Sequence, residues 1–201
     1  MEYNKITFSN VTFVNSYVVI TGWRTSVELS NWTFDNCVFK DINNGTSNAA
    51  VHFNLAEHEA LNGFTFTNNV IDGATGGSKS GIYLQATGKV LVENNTINNV
   101  AFRPFIIQLT SDDGVADEIV VTNNTFSGSA AGRAQGLSNN ANGNDKVNVV
   151  ITGNIFKDIT VQQICFWNFN SSKTTYELSH NYYDIDILAN PAKIYFNSAA
   201  Q

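Results

Sequence analysis

Aromatic rings and side-chain amides alternate with apolar residues in several short segments, such as VHFN at 51–54 and IYLQ at 82–85. In a β-strand whose apolar residues face inward, the alternate residues face outward. The expected inward set is Val51, Phe53, Ile82, Leu84, Ile107, Leu137, Ile164, Phe166, Ile194 and Phe196. The expected outward set is His52, Asn54, Tyr83, Gln85, Gln108, Ser138, Trp167, Tyr195 and Asn197. Aromatic rings stack on the apolar faces of sugars and amides pair with sugar hydroxyls, so the outward set predicts a strip that binds an extended polysaccharide. The alternative is a polar sheet face that happens to include aromatic residues.

Three cations precede these segments at similar offsets. Arg103 lies four residues before Ile107, Arg133 lies four residues before Leu137, and Lys79 stands shortly before Ile82. Equal offsets in consecutive repeats predict that the two arginines lie close together at the edge of the strip. Such a cluster would suit the carboxylates of uronic acids. The alternative is a set of independent surface charges.

Residue types that could bind a metal are scattered through the sequence. His52, His58 and His180 lack close ligand spacing, and the position of His180 in the repeat favours a structural role. An acidic group that could offer oxygen ligands to calcium consists of Asp112, Asp113, Asp117 and Glu118. A solvated acidic loop is the alternative explanation of this group. We therefore predict no metal site and no cofactor, and calcium is the one ion for which the sequence offers candidate ligands.

The strands that would carry this strip belong to a sequence repeat. Seven segments share an apolar run, then Asn or a replacement, then an aromatic or aliphatic residue three positions later. They read ITFSNVTF, WTFDNCVF, FTFTNNVI, VLVENNTI, IVVTNNTF, VVITGNIF and YELSHNYY, with the fifth letter at Asn10, Asn36, Asn68, Asn94, Asn123, Gly153 and His180. The spacing of 26 to 32 residues, with β-branched and aromatic strands and no helical period, predicts a solenoid.

Columns of this alignment predict how the chain turns and what fills it. The fifth position holds residues that tolerate positive φ, so we expect a left-handed bend there. The next column runs Val11, Cys37, Asn69, Asn95, Asn124, Asn154 and Asn181. An inward orientation explains this column, because small hydrophobic residues pack in a core and stacked Asn amides can pair with the next coil as an internal Asn ladder. Two positions further on, an interior stack is expected of Phe13, Phe39, Ile71, Ile97, Phe126, Phe156 and Tyr183.

A second strand follows the motif in each repeat, at residues 18–21, 51–54, 82–85, 106–109, 136–139, 164–167 and 194–197. Helical sequence is nearly absent, and residues 55–63 could form at most a short turn of helix. We predict an all-β fold, a single-stranded parallel β-helix of about seven coils that occupies residues 1–201 as one domain. From about Ile6 to Asn197 the chain resembles the right-handed parallel β-helix repeats of the pectate-lyase-like superfamily.

The resemblance implies a choice between binding and catalysis, because this superfamily includes bacterial polysaccharide lyases, pectin-acting hydrolases and uncharacterised secreted proteins. A lyase needs a base to remove the proton next to a uronate carboxylate and a cation to stabilise the anion. The resemblance implies that Lys or Arg serves these roles, often with calcium, and the candidates here are Arg103, Arg133 and Lys79. The strip lacks the paired Asp residues that a pectin-type hydrolase would use. We favour polysaccharide binding or scaffolding, which needs only the strip, and keep a uronate lyase as the alternative.

Composition narrows the partners and the location. The chain has 11 basic and 17 acidic residues and a net charge of −6, which argues against a nucleic-acid partner. No apolar run approaches membrane-spanning length, so we expect no membrane insertion, and the start MEYNKITFSN lacks the regions of a signal peptide. Either an export signal was removed or the chain was cut from a longer protein. We favour a secreted or cell-surface bacterial module cut from a longer protein, because no segment resembles a cap for the solenoid. Its open ends would then contact neighbouring domains or other copies end to end.

Overall fold

Three parallel β-sheets, here called A, B and C, make up the computed structural model. The residues it describes are 3–21, 28–42, 49–54, 60–73, 80–85, 88–100, 103–109, 117–129, 137–139, 146–159, 164–169, 172, 174–184 and 194–198. Sheet A contains β1 (Tyr3–Asn4), β2 (Thr7–Ser9), β5 (Glu28–Asp35), β8 (Ala60–Thr67), β11 (Lys89–Glu93), β14 (Asp117–Thr122), β17 (Val147–Thr152) and β20 (Thr174–Ser179). Sheet B contains β3 (Thr12–Val14), β6 (Val38–Lys40), β9 (Val70–Asp72), β12 (Thr96–Asn98), β15 (Thr125–Ser129), β18 (Ile155–Ile159) and β21 (Tyr182–Tyr183). Sheet C contains β4 (Val18–Thr21), β7 (Val51–Asn54), β10 (Ser80–Gln85), β13 (Arg103–Leu109), β16 (Leu137–Asn139), β19 (Ile164–Phe169) and β22 (Ile194–Ser198).

The chain visits the sheets in the order A, B, C and then returns to A, so each sheet takes strands from successive repeats. Every strand pairs in parallel with the equivalent strand of the neighbouring repeat, as Phe34 of β5 does with Phe66 of β8. This winding is a parallel β-solenoid, and the predicted all-β fold is confirmed. The residues that the structure describes include no helix. The prediction of a possible helical turn at 55–63 is wrong for residues 60–63, which belong to β8, where Leu61 pairs with Leu29. Residues 55–59 lie outside the described residues.

The predicted bend between sheets A and B is confirmed at all seven positions of its column. Their φ angles are 59° at Asn10, 52° at Asn36, 57° at Asn68, 56° at Asn94, 56° at Asn123, 67° at Gly153 and 54° at His180. The left-handed conformation excludes most side chains, which explains why Asn, Gly and His fill this column. Each bend turns the chain from one sheet into the next, so these residues set the cross-section of the solenoid.

A second bend, between sheets B and C, was not predicted. It lies five residues after the first, and its positive φ angles are 48° at Asn15, 54° at Asp41, 55° at Asn99, 67° at Gly128 and 55° at Asp158. The sequence carries the signal, because Asn, Asp or Gly recurs at this constant offset. Recognition of this column would have predicted a bend at each end of the strand in sheet B.

Aromatic and branched side chains fill the interior along the whole solenoid. In the column predicted to stack, the fully buried members are Phe39, Ile71, Ile97, Phe126 and Phe156. Aromatic rings of adjacent coils contact each other toward both ends of the column, with centroids 4.5 Å apart for Phe13 and Phe39 and 5.3 Å apart for Phe126 and Phe156, and Ile71 and Ile97 fill the middle. Phe13 and Tyr183, at the two ends, are only partly buried. The predicted interior stack is confirmed, and it extends through every coil because each repeat supplies one member.

A second interior column consists of Asn69, Asn95, Asn124, Asn154 and Asn181, and we call it the Asn column. The first four of these residues are buried, so the interior placement predicted from their register is confirmed. Asn95 shows the arrangement that the column repeats: its backbone N–H and its Nδ2 both donate to Oδ1 of Asn124, each at 2.9 Å. The same Nδ2 also donates to the carbonyl of Phe66 in the preceding coil at 2.8 Å. Buried amides are therefore paired in both directions along the axis, and this pairing offsets the cost of burying them.

Candidate functional site

Sheet C carries the predicted strip, and its inward side agrees with the sequence. Val51, Phe53, Ile82 and Leu84 are completely buried, and so are Ile107 and Ile164. The strand register aligns two of these columns, Val51 with Ile82 and Phe53 with Leu84. Residues between them occupy the alternate positions, which are those of the predicted strip. The register therefore decides which members of the strip are neighbours.

Cα pairing divides the predicted strip into two columns rather than one. The first, here called the ring column, aligns Val19, His52, Tyr83 and Ile106, and the pair Cys165 and Tyr195 continues its alternation in β19 and β22. The second, here called the amide column, aligns Thr21, Asn54, Gln85, Gln108, Ser138 and Trp167. Asn197 lies in β22, where the register shifts, and has no aligned partner in β19. Tyr83 and Trp167, both members of the predicted strip, therefore stand in different columns.

His52 and Tyr83 form the best defined part of the ring column. Their rings lie parallel, with centroids 4.6 Å apart and an angle of 4° between their planes. His52 is only 4% exposed although it occupies an alternate position, so it is less accessible than we predicted. Tyr83 is partly buried. The imidazole therefore covers one face of the phenol ring, and Tyr83 is the more exposed ring of the pair.

Burial also changes the chemistry of His52. Desolvation lowers the pKa of its imidazole from the ordinary value of 6.5. The ring is therefore neutral at pH 7, and it presents an uncharged face to Tyr83. Within the part of the chain that the structure describes, Nε2 of His52 is buried and has no hydrogen-bond partner. A neutral, closely packed imidazole fits a supporting role in this stack.

Two apolar residues of the ring column were missed in the sequence. Val19 is 37% exposed, and Ile106 is buried. Both would have been found by the alternation rule that identified Tyr83, because Val19 precedes the inward Ile20 and Ile106 precedes the inward Ile107. The ring column is therefore more apolar than predicted.

The amide column places polar residues at the same level of successive strands. Asn54 is paired with Gln85, and Gln85 is paired with Gln108. Parallel strands lie about 4.8 Å apart, so this row repeats a polar residue at that interval along the solenoid axis. The backbone register therefore places Asn54, Gln85 and Gln108 at equivalent positions of three successive strands.

Arg103 is the one predicted cation whose position is described. It begins β13, where its Cα pairs with that of Ser80, and its side chain is half-buried. Arg103 shares the alternation of the buried residues Phe105 and Ile107, so it belongs to neither outward column. As the first residue of β13, it lies at the margin of the sheet. Lys79 and Arg133 lie outside the described residues. The pairing of Ile107 with Leu137 agrees with the equal offsets of the two arginines, and their proximity stays a prediction.

The structure describes two members of the predicted acidic group. Asp117 and Glu118 begin β14, where the Cα of Glu118 is aligned with that of Lys89, and Glu118 is exposed. Asp112, Asp113 and His58 lie outside the described residues. Among the residues described, no group of three or more His, Cys, Asp or Glu side chains could hold a metal ion. The same residues contain no helix that is long and apolar enough to cross a membrane.

Comparisons of the chain with protein-family models, with curated proteins and with solved structures gave no significant match.

Proposed function

We propose that the protein is a polysaccharide-binding or scaffolding module that holds an extended, acidic glycan along sheet C. One observation carries this proposal: His52 and Tyr83 are stacked, and Asn54, Gln85 and Gln108 of the amide column are aligned on the same sheet. An aromatic face and regularly spaced amides are the two features that recognise sugars.

Rigidity supports binding at Tyr83. The ring rests on a buried imidazole, and apolar residues flank the pair at Val19 and Ile106 in the same column. A side chain that is already ordered loses little conformational freedom when a ligand binds, so it contributes more of its contact energy to affinity. A sugar ring placed on Tyr83 would bring its hydroxyls toward the neighbouring amide column.

Acidic glycans are favoured over neutral glycans because the chain places Arg103 at the margin of the same sheet. Guanidinium groups bind carboxylates through paired hydrogen bonds, and Arg133 and Lys79 would extend the cationic edge. The resemblance of the repeats to the pectate-lyase-like superfamily supports the same class of ligand. As part of this proposal the solenoid is right-handed and acts outside the cell or on its surface, without contacting nucleic acid or entering a membrane.

Isothermal titration calorimetry with oligogalacturonate and with a neutral glucan of equal length tests the proposal. Tyr83→Ala should weaken both ligands, whereas Arg103→Ala and Arg133→Ala should weaken only the acidic one. Tyr182→Ala is the matched control, because Tyr182 is 59% exposed on sheet B. Trp167 would report binding by fluorescence, and added salt should lower the affinity for the acidic ligand. Absence of heat with every glycan, with and without calcium, would exclude glycan binding.

The alternative uronate lyase is tested with the same protein. A lyase generates an unsaturated uronate that absorbs in the ultraviolet, and Arg103→Ala or Arg133→Ala should abolish that signal. Binding without any increase in absorbance supports the non-catalytic module. Absorbance that depends on either arginine would replace the module with an enzyme.

A further inference from the structure

Three exposed asparagines share one backbone conformation and one sequence context. They are Asn31, Asn94 and Asn123, whose φ angles are 57°, 56° and 56°. A threonine follows each of them two residues later, at Thr33, Thr96 and Thr125. Asn-x-Thr is the sequence at which sugars are attached to a protein through the Asn amide. The function proposed for sheet C uses none of these residues.

The middle residue of each Asn-x-Thr sequence is buried. These middle residues are Trp32, Asn95 and Asn124, and none is more than 5% exposed. The three threonines are partly exposed. The amide and the hydroxyl of each sequence therefore lie on the outer surface of the solenoid, on the two sides of a residue that faces the core.

The threonine is not needed for the fold, whereas the left-handed residue is. Cα pairing places Val70, Thr96 and Thr125 at equivalent positions of sheet B. Val70 follows the left-handed bend at Asn68 in the same way that Thr96 follows the bend at Asn94. A valine thus serves the strand as well as a threonine, so the hydroxyl of Thr96 is available for chemistry.

Hydrogen bonding distinguishes the three exposed asparagines from other Asn residues with the same backbone conformation. Nδ2 of Asn68 donates to Oδ1 of Asp35 at 2.9 Å, and Nδ2 of Asn36 donates to Oδ1 of Asn10 at 2.6 Å. Neither Asn36 nor Asn68 precedes a threonine at this spacing. Among the residues that the structure describes, no such bond holds Nδ2 of the three exposed asparagines. The amides that precede threonine are thus the ones that neighbouring coils leave unbonded.

Asn10 has the same sequence context, with Thr12 two residues later, but a different environment. Its Oδ1 accepts the bond from Asn36, and its Nδ2 donates to the hydroxyl of Ser9 at 3.0 Å. Both polar atoms of this amide are therefore bonded, which separates Asn10 from the three exposed asparagines. Two further sequences of this type begin at Asn44 and Asn170, which lie outside the described residues.

We propose that Asn31, Asn94 and Asn123 are attachment sites for N-linked sugars, selected by their unbonded amides. Nδ2 attacks the anomeric carbon of a sugar that is activated as a diphosphate ester. A C–N bond forms, the bond from that carbon to the phosphate oxygen breaks with its electron pair leaving on the diphosphate, and Nδ2 loses a proton to a base of the transferring enzyme. An exposed Nδ2 without a partner in the protein reaches such a donor without breaking a hydrogen bond.

The sites leave the candidate binding face open. Asn94 and Asn123 lie at the bend between sheets A and B, and Asn31 lies in β5 of sheet A. None of the three belongs to sheet C, so attached sugars project from other surfaces of the solenoid. Attachment of sugars is therefore independent of glycan binding to sheet C, and either can fail without the other.

Incubation of the folded chain with a soluble asparagine glucosyltransferase and UDP-glucose tests the proposal, and peptide mapping by mass spectrometry locates the added hexose. We expect hexose on Asn31, Asn94 and Asn123, added about tenfold faster than on Asn10, whose amide must first lose its bonds. Thr96→Val removes the hydroxyl and keeps a β-branched side chain. This variant should lose the hexose at Asn94 and keep the hexose at Asn123.

Val70→Thr is the matched variant, because it completes the Asn-x-Thr sequence at Asn68, whose Nδ2 is bonded to Asp35. Asn68 of this variant should gain hexose about tenfold more slowly than Asn94, because its amide is held by the neighbouring coil. Addition of Asp35→Ala to the same variant removes the acceptor of that bond. The rate at Asn68 should then rise toward the rate at Asn94.

Circular dichroism establishes that each variant is folded, and a peptide of residues 92–98 serves as the control for enzyme activity. The proposal is overturned if the peptide is modified and the three exposed asparagines of the folded native chain are not. Equal rates at Asn94 and at Asn68 of Val70→Thr would overturn it as well, because hydrogen bonding of the amide would then not select the sites.

Discussion

Nδ2 of Asn124 donates to Oδ1 of Asn154 at 2.9 Å inside the solenoid, where both residues are buried. The backbone N–H of Asn124 donates to the same oxygen at 2.9 Å. One side-chain oxygen thus binds two groups of the preceding coil. Coil-to-coil pairing of this kind specifies register, because a shift of one residue would bury an unpaired amide in an apolar core.

Asn124→Leu should lower the free energy of unfolding by about 1 to 3 kcal/mol, because it leaves donors and acceptors of Asn95 and Asn154 unpaired in the interior. Thermal melting followed by circular dichroism measures the effect. Asn148→Leu is the control, since Asn148 is exposed on sheet A. Equal melting temperatures for the two variants would contradict a structural role for the column.

Phe126→Ala should cost about 3 to 5 kcal/mol, because it removes a fully buried ring and leaves a cavity between Phe105 and Phe156. Phe13→Ala should cost less, because Phe13 is only partly buried. Urea unfolding of both variants measures the difference. Similar losses at the two positions would mean that the end of the stack is as well covered as its middle.

Asn94→Ala should destabilise the protein by roughly 1 to 2 kcal/mol, because Asn94 has a φ of 56° and the Cβ of alanine is disfavoured there. Asn94→Gly is the matched variant, and it should leave stability close to that of the native sequence, because glycine adopts this conformation freely. Chemical unfolding compares the two. A glycine variant as unstable as the alanine variant would show that the Asn side chain, rather than the backbone conformation, matters at this bend.

Stability should fall as the pH drops below the ordinary histidine pKa of 6.5, because burial lowers the pKa of His52 in the folded protein. The unfolded chain then binds more protons than the folded protein, so the contribution is intact above this pH and is lost as the pH decreases toward the lowered pKa. His52→Phe keeps a flat ring beneath Tyr83 and should reduce the dependence of the melting temperature on pH between 7 and 5.

The matched control for His52 is His180→Asn. His180 is exposed, and asparagine accepts its φ of 54°. This variant should keep the pH dependence of the native protein. A pH dependence that persists in His52→Phe and disappears in His180→Asn would assign the effect to the bend instead of the stack.

Much of the fold could be predicted from the chain because each repeat is a local unit with its own chemical pattern. Asn94 and Gly153 stand in a column of residues that tolerate a left-handed backbone, and the structure has that conformation at both. Phe126 and Asn124 stand in columns that only an interior position explains, and both are buried. The bend at Asn99 and Asp158 was missed although its signal was present, because one turn column had already been found in each repeat.

The candidate site was less predictable. Alternation along a strand indicates which residues share a face, and on that basis Tyr83 was placed correctly beside the inward Leu84. It does not indicate which residues of different strands are neighbours, because loops of unequal length separate the strands. Pairing between strands decided that Tyr83 aligns with His52 and Ile106, and that Gln85 aligns with Asn54 and Gln108.

The sequence by itself determined the repeat, its apolar interior and its Asn-rich bends, because these depend on residue types at fixed local spacing. Only the tertiary structure decided the three-sheet cross-section, the register between coils and the burial of His52. Register depends on hydrogen bonds between residues 26 to 32 positions apart, such as those that join Asn69 to Asn95 and to Cys37. Burial depends on everything that packs around a residue, so a polar side chain at an alternate position, like that of His52, can still be covered.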